Sequence, residues 1–159
     1  DGDIDALYTA RMPSSFRESM RNGDGRVKRL FEDYADVERA YWRDTGIFPI
    51  MHTIVMRREV YEANRWIAQS LTKAFYESQR HSYEDLAETA ALKSMLPWLV
   101  AHVEDARREM GDDWWPYGLE RNRKTLETFT RYHFEQGLSK RQLSLDELFA
   151  PESLEAFKI

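Results

Sequence analysis

Apolar positions along this chain fall into two kinds of pattern. From Ile4 to Ala10 and again from Pro49 to Arg57 they run nearly unbroken, whereas elsewhere they recur at helical spacing. The first run predicts a short, largely buried strand entered from a turn at Gly2-Asp3. The second predicts a central strand covered on both faces. Val27 to Phe31 fits either another short strand or a helical turn. Pro13 pushes Met12 toward extended geometry and makes Arg11 to Ser15 a loop, and Asn22-Gly23-Asp24-Gly25 marks an exposed turn.

Helical spacing dominates the rest. Asp33 is placed to cap a helix from Tyr34 to Asp44, with Val37, Ala40 and Tyr41 on one face and Gly46 as the left-handed residue that stops it. Asn64 is expected to cap a helix to about Ser82 that turns Ile67, Leu71, Ala74, Phe75 and Ser78 inward. Tyr83 to Met95 reads as a further helix broken at Pro97, and Trp98 to Met110 as one ended by Gly111. Asp112 to Gly118 reads as an irregular aromatic loop. Glu120 to Gln136 forms a long amphipathic helix with Leu126, Phe129, Tyr132 and His133 on one face, closed by Gly137. Two short turns end the chain, one capped by Ser144 and one opened by Pro151. The expected fold is therefore α/β and helix-rich, with a sheet too small to satisfy its own edges: helices cover it, or, as favoured here, its partner strands lie on a missing N-terminal segment.

Composition narrows the function classes. The chain has 159 residues, 42% hydrophobic and 32% charged, which suits one folded domain with its own core. A net charge of -5 with no basic block argues against a nucleic-acid partner. No apolar run approaches the roughly 20 residues of a membrane helix, so no membrane partner is expected. The absence of cysteine excludes disulfides and thiolate metal sites and leaves the compartment open. Aromatics at 13% are plentiful enough to line a cleft as well as a core. Opening on Asp1-Gly2-Asp3 without a methionine, the chain reads as a piece of a longer protein.

Six blocks in order resemble the 4,5-dihydroxyphthalate decarboxylase family: Gly2-Asp3-Ile4-Asp5-Ala6, Thr45 to His52 (TGIFPIMH), Val60-Tyr61-Glu62-Ala63-Asn64, Asp112 to Gly118 (DDWWPYG), Asn122-Arg123-Lys124-Thr125-Leu126-Glu127 and Glu147-Leu148-Phe149-Ala150-Pro151-Glu152. The resemblance implies the C-terminal half of a fold similar to type II periplasmic binding proteins, with two lobes around a ligand cleft. Residues 1–44 would end the second lobe and cross between lobes, and residues 45–159 would complete the first. The missing N-terminal half would be a partner in forming the cleft, and a homo-oligomer stays open. The implied reaction removes one carboxylate from 4,5-dihydroxyphthalate, giving protocatechuate and carbon dioxide in the cytoplasm. The shared fold leaves a second reading: a periplasmic solute-binding component of an ABC-type uptake system, or a ligand sensor.

Such a reaction calls for a general acid near the ring carbon, cations for two carboxylates and an acceptor for the catechol. It requires no redox cofactor, and a metal requirement stays undecided. His52, lone in an apolar run, is the candidate general acid or base, since imidazole ordinarily titrates near neutrality; a structural, hydrogen-bonded histidine is the alternative. Arg11, Ser14 and Ser15 follow a predicted strand, where open α/β sheets place anionic ligands. Arg57 and Arg58 would point to opposite faces of a strand, leaving at most one for the cleft, with surface charge the alternative for both. Trp115 and Tyr117 would wall an aromatic ring, with Gly118 admitting the backbone close to it. For Trp114, Trp115 and Tyr117 the alternative is a helix corner plugged by rings. No second histidine or carboxylate stands at metal-ligand spacing from His52.

Overall fold

The computed structural model describes residues 4–154. Seven α-helices and a closing 3₁₀ turn make up its regular structure: α1 (Ser14–Asn22), α2 (Tyr34–Thr45), α3 (Arg58–Ala63), α4 (Trp66–Ala87), α5 (Leu99–Met110), α6 (Leu119–Glu135), α7 (Leu145–Leu148) and the 3₁₀ turn Pro151–Ser153. The chain divides into two units, Asp1–Gly46 and Ile47–Ile159.

Among the described residues there is no strand, which overturns the expected α/β fold with a small sheet. Ile4 to Ala10 forms no regular element, and Ile4, Leu7 and Tyr8 are exposed. Val27 to Phe31 is neither strand nor helix. The run Pro49 to Met56 is irregular, and Val55 is 86% exposed. A continuous apolar run records a tendency toward burial, but a strand exists only where a second one supplies its ladder of hydrogen bonds. No described segment supplies it. The predicted turn at Gly2-Asp3 and the end of the last predicted helix, to Phe157, lie outside the described residues.

In the first unit, α1 occupies a polar stretch that hydrophobic spacing left unassigned. Pro13 stands directly before it, and the Gly23 N–H donates to the Ser19 carbonyl at 2.9 Å as the helix ends. Ser19 is buried, and its hydroxyl donates to Asp24 at 2.7 Å while accepting the Val27 N–H at 3.1 Å. One hydroxyl thus folds the turn after α1 back onto the helix. The Ser19 hydroxyl, followed by the Arg26 N–H, holds the Asp24 carboxyl at about 2. Helix α2 spans Tyr34–Thr45, one residue past the expected end. Asp33 precedes it without a side-chain capping hydrogen bond, and Gly46, whose φ of 64° suits glycine, ends it with its N–H donating to the Trp42 carbonyl at 2.7 Å. Its stripe of Val37 and Tyr41 stays exposed.

In the second unit, α4 is the organising element. It runs past the expected break and through Tyr83 to Ala87, since no glycine or proline interrupts residues 66–87. Arg80 adds i,i+3 and i,i+4 pairs with Glu77 and Glu84. Asn64, the expected cap of this helix, instead ends α3. Helix α4 packs on α5 and on the closing 3₁₀ turn. Glu152 of that turn accepts a hydrogen bond from the Tyr61 hydroxyl at 2.6 Å and pairs with Arg65 at 3.4 Å. The expected inward face of α4 is not a buried one, for Leu71 and Phe75 are both exposed.

The buried hydrophobic side chains among the described residues are Leu99, Leu119 and Leu145, each the first residue of its helix. Leu145 opens α7, which Ser144 caps as expected, and Glu147 completes a capping box: the Ser144 N–H and hydroxyl donate to Glu147 at 2.9 and 3.0 Å.

Candidate ligand-binding site

Three side chains on one face of α4 hold the aromatic loop between α5 and α6. Tyr76, Gln79 and Tyr83 are spaced three and four residues apart, so they lie along one stripe of the helix. The Tyr76 hydroxyl donates to the Tyr117 carbonyl at 2.8 Å, and the Gln79 carboxamide donates to the Trp115 carbonyl. The Tyr83 hydroxyl accepts the Trp115 N–H at 3.0 Å and donates to Asp113 at 3.3 Å. From the other side, the Asn122 carboxamide of α6 donates to the carbonyls of Pro116 at 2.7 Å and Gly118 at 2.9 Å. A loop without secondary structure needs partners for its backbone polar groups, and side chains of α4 and α6 provide them.

Ring contacts complete the arrangement. Tyr83 lies 4.5 Å from Trp114, centroid to centroid, in a tilted stack. Tyr76 meets Tyr117 edge-on at 5.8 Å, and Phe48 meets Trp115 edge-on at 5.7 Å. Arg107 reaches over Trp114 and pairs with Asp112 at 3.2 Å, while Arg121 pairs with Asp113. Burial pushes the phenols of Tyr76 and Tyr83 up from the ordinary value, so both remain neutral donors.

Between helix and loop lies a hollow of about 270 Å³, lined by Gln79, Ser82, Tyr83 and Leu86 of α4 and by Trp114, Trp115 and Tyr117. A second hollow, of about 460 Å³, lies between α6 and residues 142–146 and is lined by charged and polar groups including Arg123, Glu127 and Asp146. No described group of three or more histidine and acidic side chains is gathered closely enough to hold a metal ion.

The structure brings Trp115, Tyr117 and Gly118 together and gives each a structural partner. His52 belongs to the same unit but is exposed, and no described residue hydrogen-bonds to it. Phe48, four residues earlier, is fixed on Trp115, and four residues of chain reach at most about 14 Å. The expectation that Arg57 and Arg58 flank a strand is corrected: Arg57 precedes α3 and Arg58 begins it, paired with Glu62 at 3.7 Å. The Arg57 guanidinium is exposed and has no described acidic partner. Arg11, Ser14 and Ser15 belong to the first unit, the serines opening α1 and all three exposed. Because Ile4 to Ala10 is not a strand, their expected position after one is also withdrawn.

Tyr76, Gln79, Tyr83 and Asn122 were not anticipated from the sequence. The signal that would have revealed them is an i, i+3, i+7 row of ring and amide side chains beside the aliphatic stripe of α4.

These features describe a helical unit built around a pinned aromatic loop and an aromatic-walled hollow. The chain is 38% identical, over all 159 of its residues, to a 4,5-dihydroxyphthalate decarboxylase of Comamonas testosteroni, and covers 47% of that protein. The family resemblance read from the six blocks therefore holds along the entire chain. The chain spans about half the length of the curated relative it matches, which fits a C-terminal half. No protein-family profile matches it. Among the described residues, no helix is long and apolar enough to cross a membrane.

Proposed function

We propose that this chain is part of a decarboxylase that acts on a dihydroxylated aromatic dicarboxylate, with 4,5-dihydroxyphthalate as the substrate and protocatechuate and carbon dioxide as products. The observation that carries this reading is the 38% identity over the whole chain to a protein of that name. An aromatic-walled hollow beside the DDWWPYG loop supports it chemically, since a flat ring gains contact area and quadrupole complementarity there.

In the reaction, the ring hydroxyl para to the departing carboxylate supplies electron density to the ipso carbon as it gives up its proton. A general acid delivers a proton to that carbon and forms the new C–H bond. The bond to the carboxylate then breaks, carbon dioxide leaves, its electron pair restores the aromatic ring, and the ring oxygen takes back from solvent the proton it gave up. We assign the proton delivery to His52, whose exposed imidazole is uncommitted among the described residues. Trp115 and Tyr117 wall the ring, and Gly118 keeps the loop backbone close. Arg57 supplies an anion-binding group. The polypeptide equivalent to the rest of the relative completes the site. No redox cofactor takes part in these steps.

The test is carbon dioxide release from 4,5-dihydroxyphthalate by the purified full-length protein, with protocatechuate identified as co-product. Saturable binding of the dicarboxylate without any turnover would remove the proposal.

A further inference from the structure

The hollow beside α4 has an aromatic wall and an uncharged polar edge. Its rings are Tyr83, Trp114, Trp115 and Tyr117, and its remaining polar side chains are Gln79 and Ser82. Gln79 donates its amide to the Trp115 carbonyl, and no described residue donates to its Oε1. The Ser82 hydroxyl donates to the Ser78 carbonyl at 3.0 Å, which leaves its oxygen lone pairs to accept. The Tyr83 hydroxyl is committed at both ends, to Asp113 and to the Trp115 N–H. No lysine or arginine is among the lining residues.

Size and polarity therefore agree on one ligand class. The hollow of about 270 Å³ is open to solvent and has room for one substituted ring to lie against its aromatic wall. Its edge offers two acceptors, one remaining amide N–H of Gln79 and no cation, so it suits the O–H groups of a phenol or catechol better than a carboxylate.

We propose that the α4 hollow is the subsite for the hydroxylated edge of an aromatic ring, and that Gln79 Oε1 and Ser82 Oγ are the specificity-determining acceptors for its hydroxyl groups. This rests on the proposed aromatic substrate and deepens it. The ring enters with its hydroxyls inward, and its carboxylates face outward, toward cations that lie outside the hollow.

The inference is tested by titrating the purified protein with catechol, with 1,2-dimethoxybenzene and with phthalate, read by ligand-observed NMR and tryptophan quenching. Catechol is expected to bind saturably, and the other two about tenfold more weakly or not at all. Ser82→Ala removes one acceptor without touching the loop, and Gln79→Met removes the second while keeping the side-chain length. Each is expected to weaken catechol binding about three- to tenfold, with helical circular dichroism unchanged. Phthalate binding as well as catechol, absence of saturable catechol binding, or wild-type catechol affinity in a folded Ser82→Ala protein would each overturn the inference. Carbon dioxide release is read separately. Turnover with catechol binding untouched by the variants sinks this subsite alone, whereas variant-sensitive catechol binding in a protein that releases no carbon dioxide sinks only the proposed reaction.

Discussion

The hydroxyl of Tyr76 occupies the space that a side chain on Gly118 would need. A Cβ built there lies 2.7 Å from that oxygen, which at the same time donates to the Tyr117 carbonyl at 2.8 Å. Gly118 also has a φ of 86°, a conformation that costs other residues strain. Glycine is thus required twice at the point where the loop turns into α6. Gly118→Ala is expected to destabilise the protein by about 1–3 kcal/mol. Because Tyr76→Phe removes the oxygen in the way, the double variant is expected to lose less than the sum of the two single losses. Denaturant unfolding of all four proteins measures both effects, and strict additivity would contradict the contact.

Tyr83 makes the complementary attachment, accepting the Trp115 N–H and donating to Asp113. Tyr83→Phe leaves the stacking on Trp114 but loses both hydrogen bonds, with an expected loss of about 1 kcal/mol and a changed near-ultraviolet signal from the loop tryptophans. Burial raises the phenol's folded-state pKa above its unfolded value of 10.0. Its contribution is therefore complete below that value and fades as pH rises through the raised one. Stability in alkaline titration should fall less steeply in Tyr83→Phe than in the wild type.

Glycines and the Ser144 cap make several helix ends legible, but Asp33 and Asn64 do not cap the helices expected of them, residues 88–98 are not helical, and no expected strand forms among the described residues. Gly46, Gly111 and Gly137 end helices where they were expected to, and Ser144 with Glu147 caps α7. These are local signals, settled by residues within one turn of each other. Pairing of the run around His52 is a nonlocal event, and Ile54 and Val55 carry the same apolar pattern whether or not a ladder forms. Helix α1 was passed over because its mean polarity hides a single buried serine, Ser19, that anchors the turn after it. The aromatic loop could be read as a loop, yet its attachment to Tyr76, Gln79 and Tyr83 could not. Aliphatic spacing on α4 marks Leu71 and Phe75, while the neighbouring row of Tyr76, Gln79 and Tyr83 carries the hydrogen bonding.

Glu147 sets an acid limit on the end of the chain. Its carboxyl is held at about 2, first by Arg141 and then by the Ser144 N–H and hydroxyl. A carboxylate with a lowered folded-state pKa stabilises fully above its ordinary value of 4.5 and loses that contribution as pH falls toward about 2. The segment from Arg141 to Leu148 is expected to loosen over that interval, seen as faster amide exchange at Ser144 and Glu147. Glu147→Gln should show the looser segment already at neutral pH and no further change with acid. Identical acid profiles for the two proteins would contradict this.

His52 separates chemistry from folding more cleanly than any other proposed site residue. It is exposed, and no described residue hydrogen-bonds to it, so His52→Ala should change stability by no more than about 0.5 kcal/mol. General acid catalysis by a positioned side chain contributes roughly 10²–10⁴-fold. The variant is therefore expected to lose at least about 100-fold in kcat for carbon dioxide release, with KM nearly unchanged because the imidazole delivers a proton and does not grip the carboxylates. Arg57→Ala is the contrasting case: loss of an anion contact formed with bound substrate should appear chiefly in KM. A His52→Ala protein that turns over at the wild-type rate would reassign proton delivery to another group, and the pH profile of kcat would identify which.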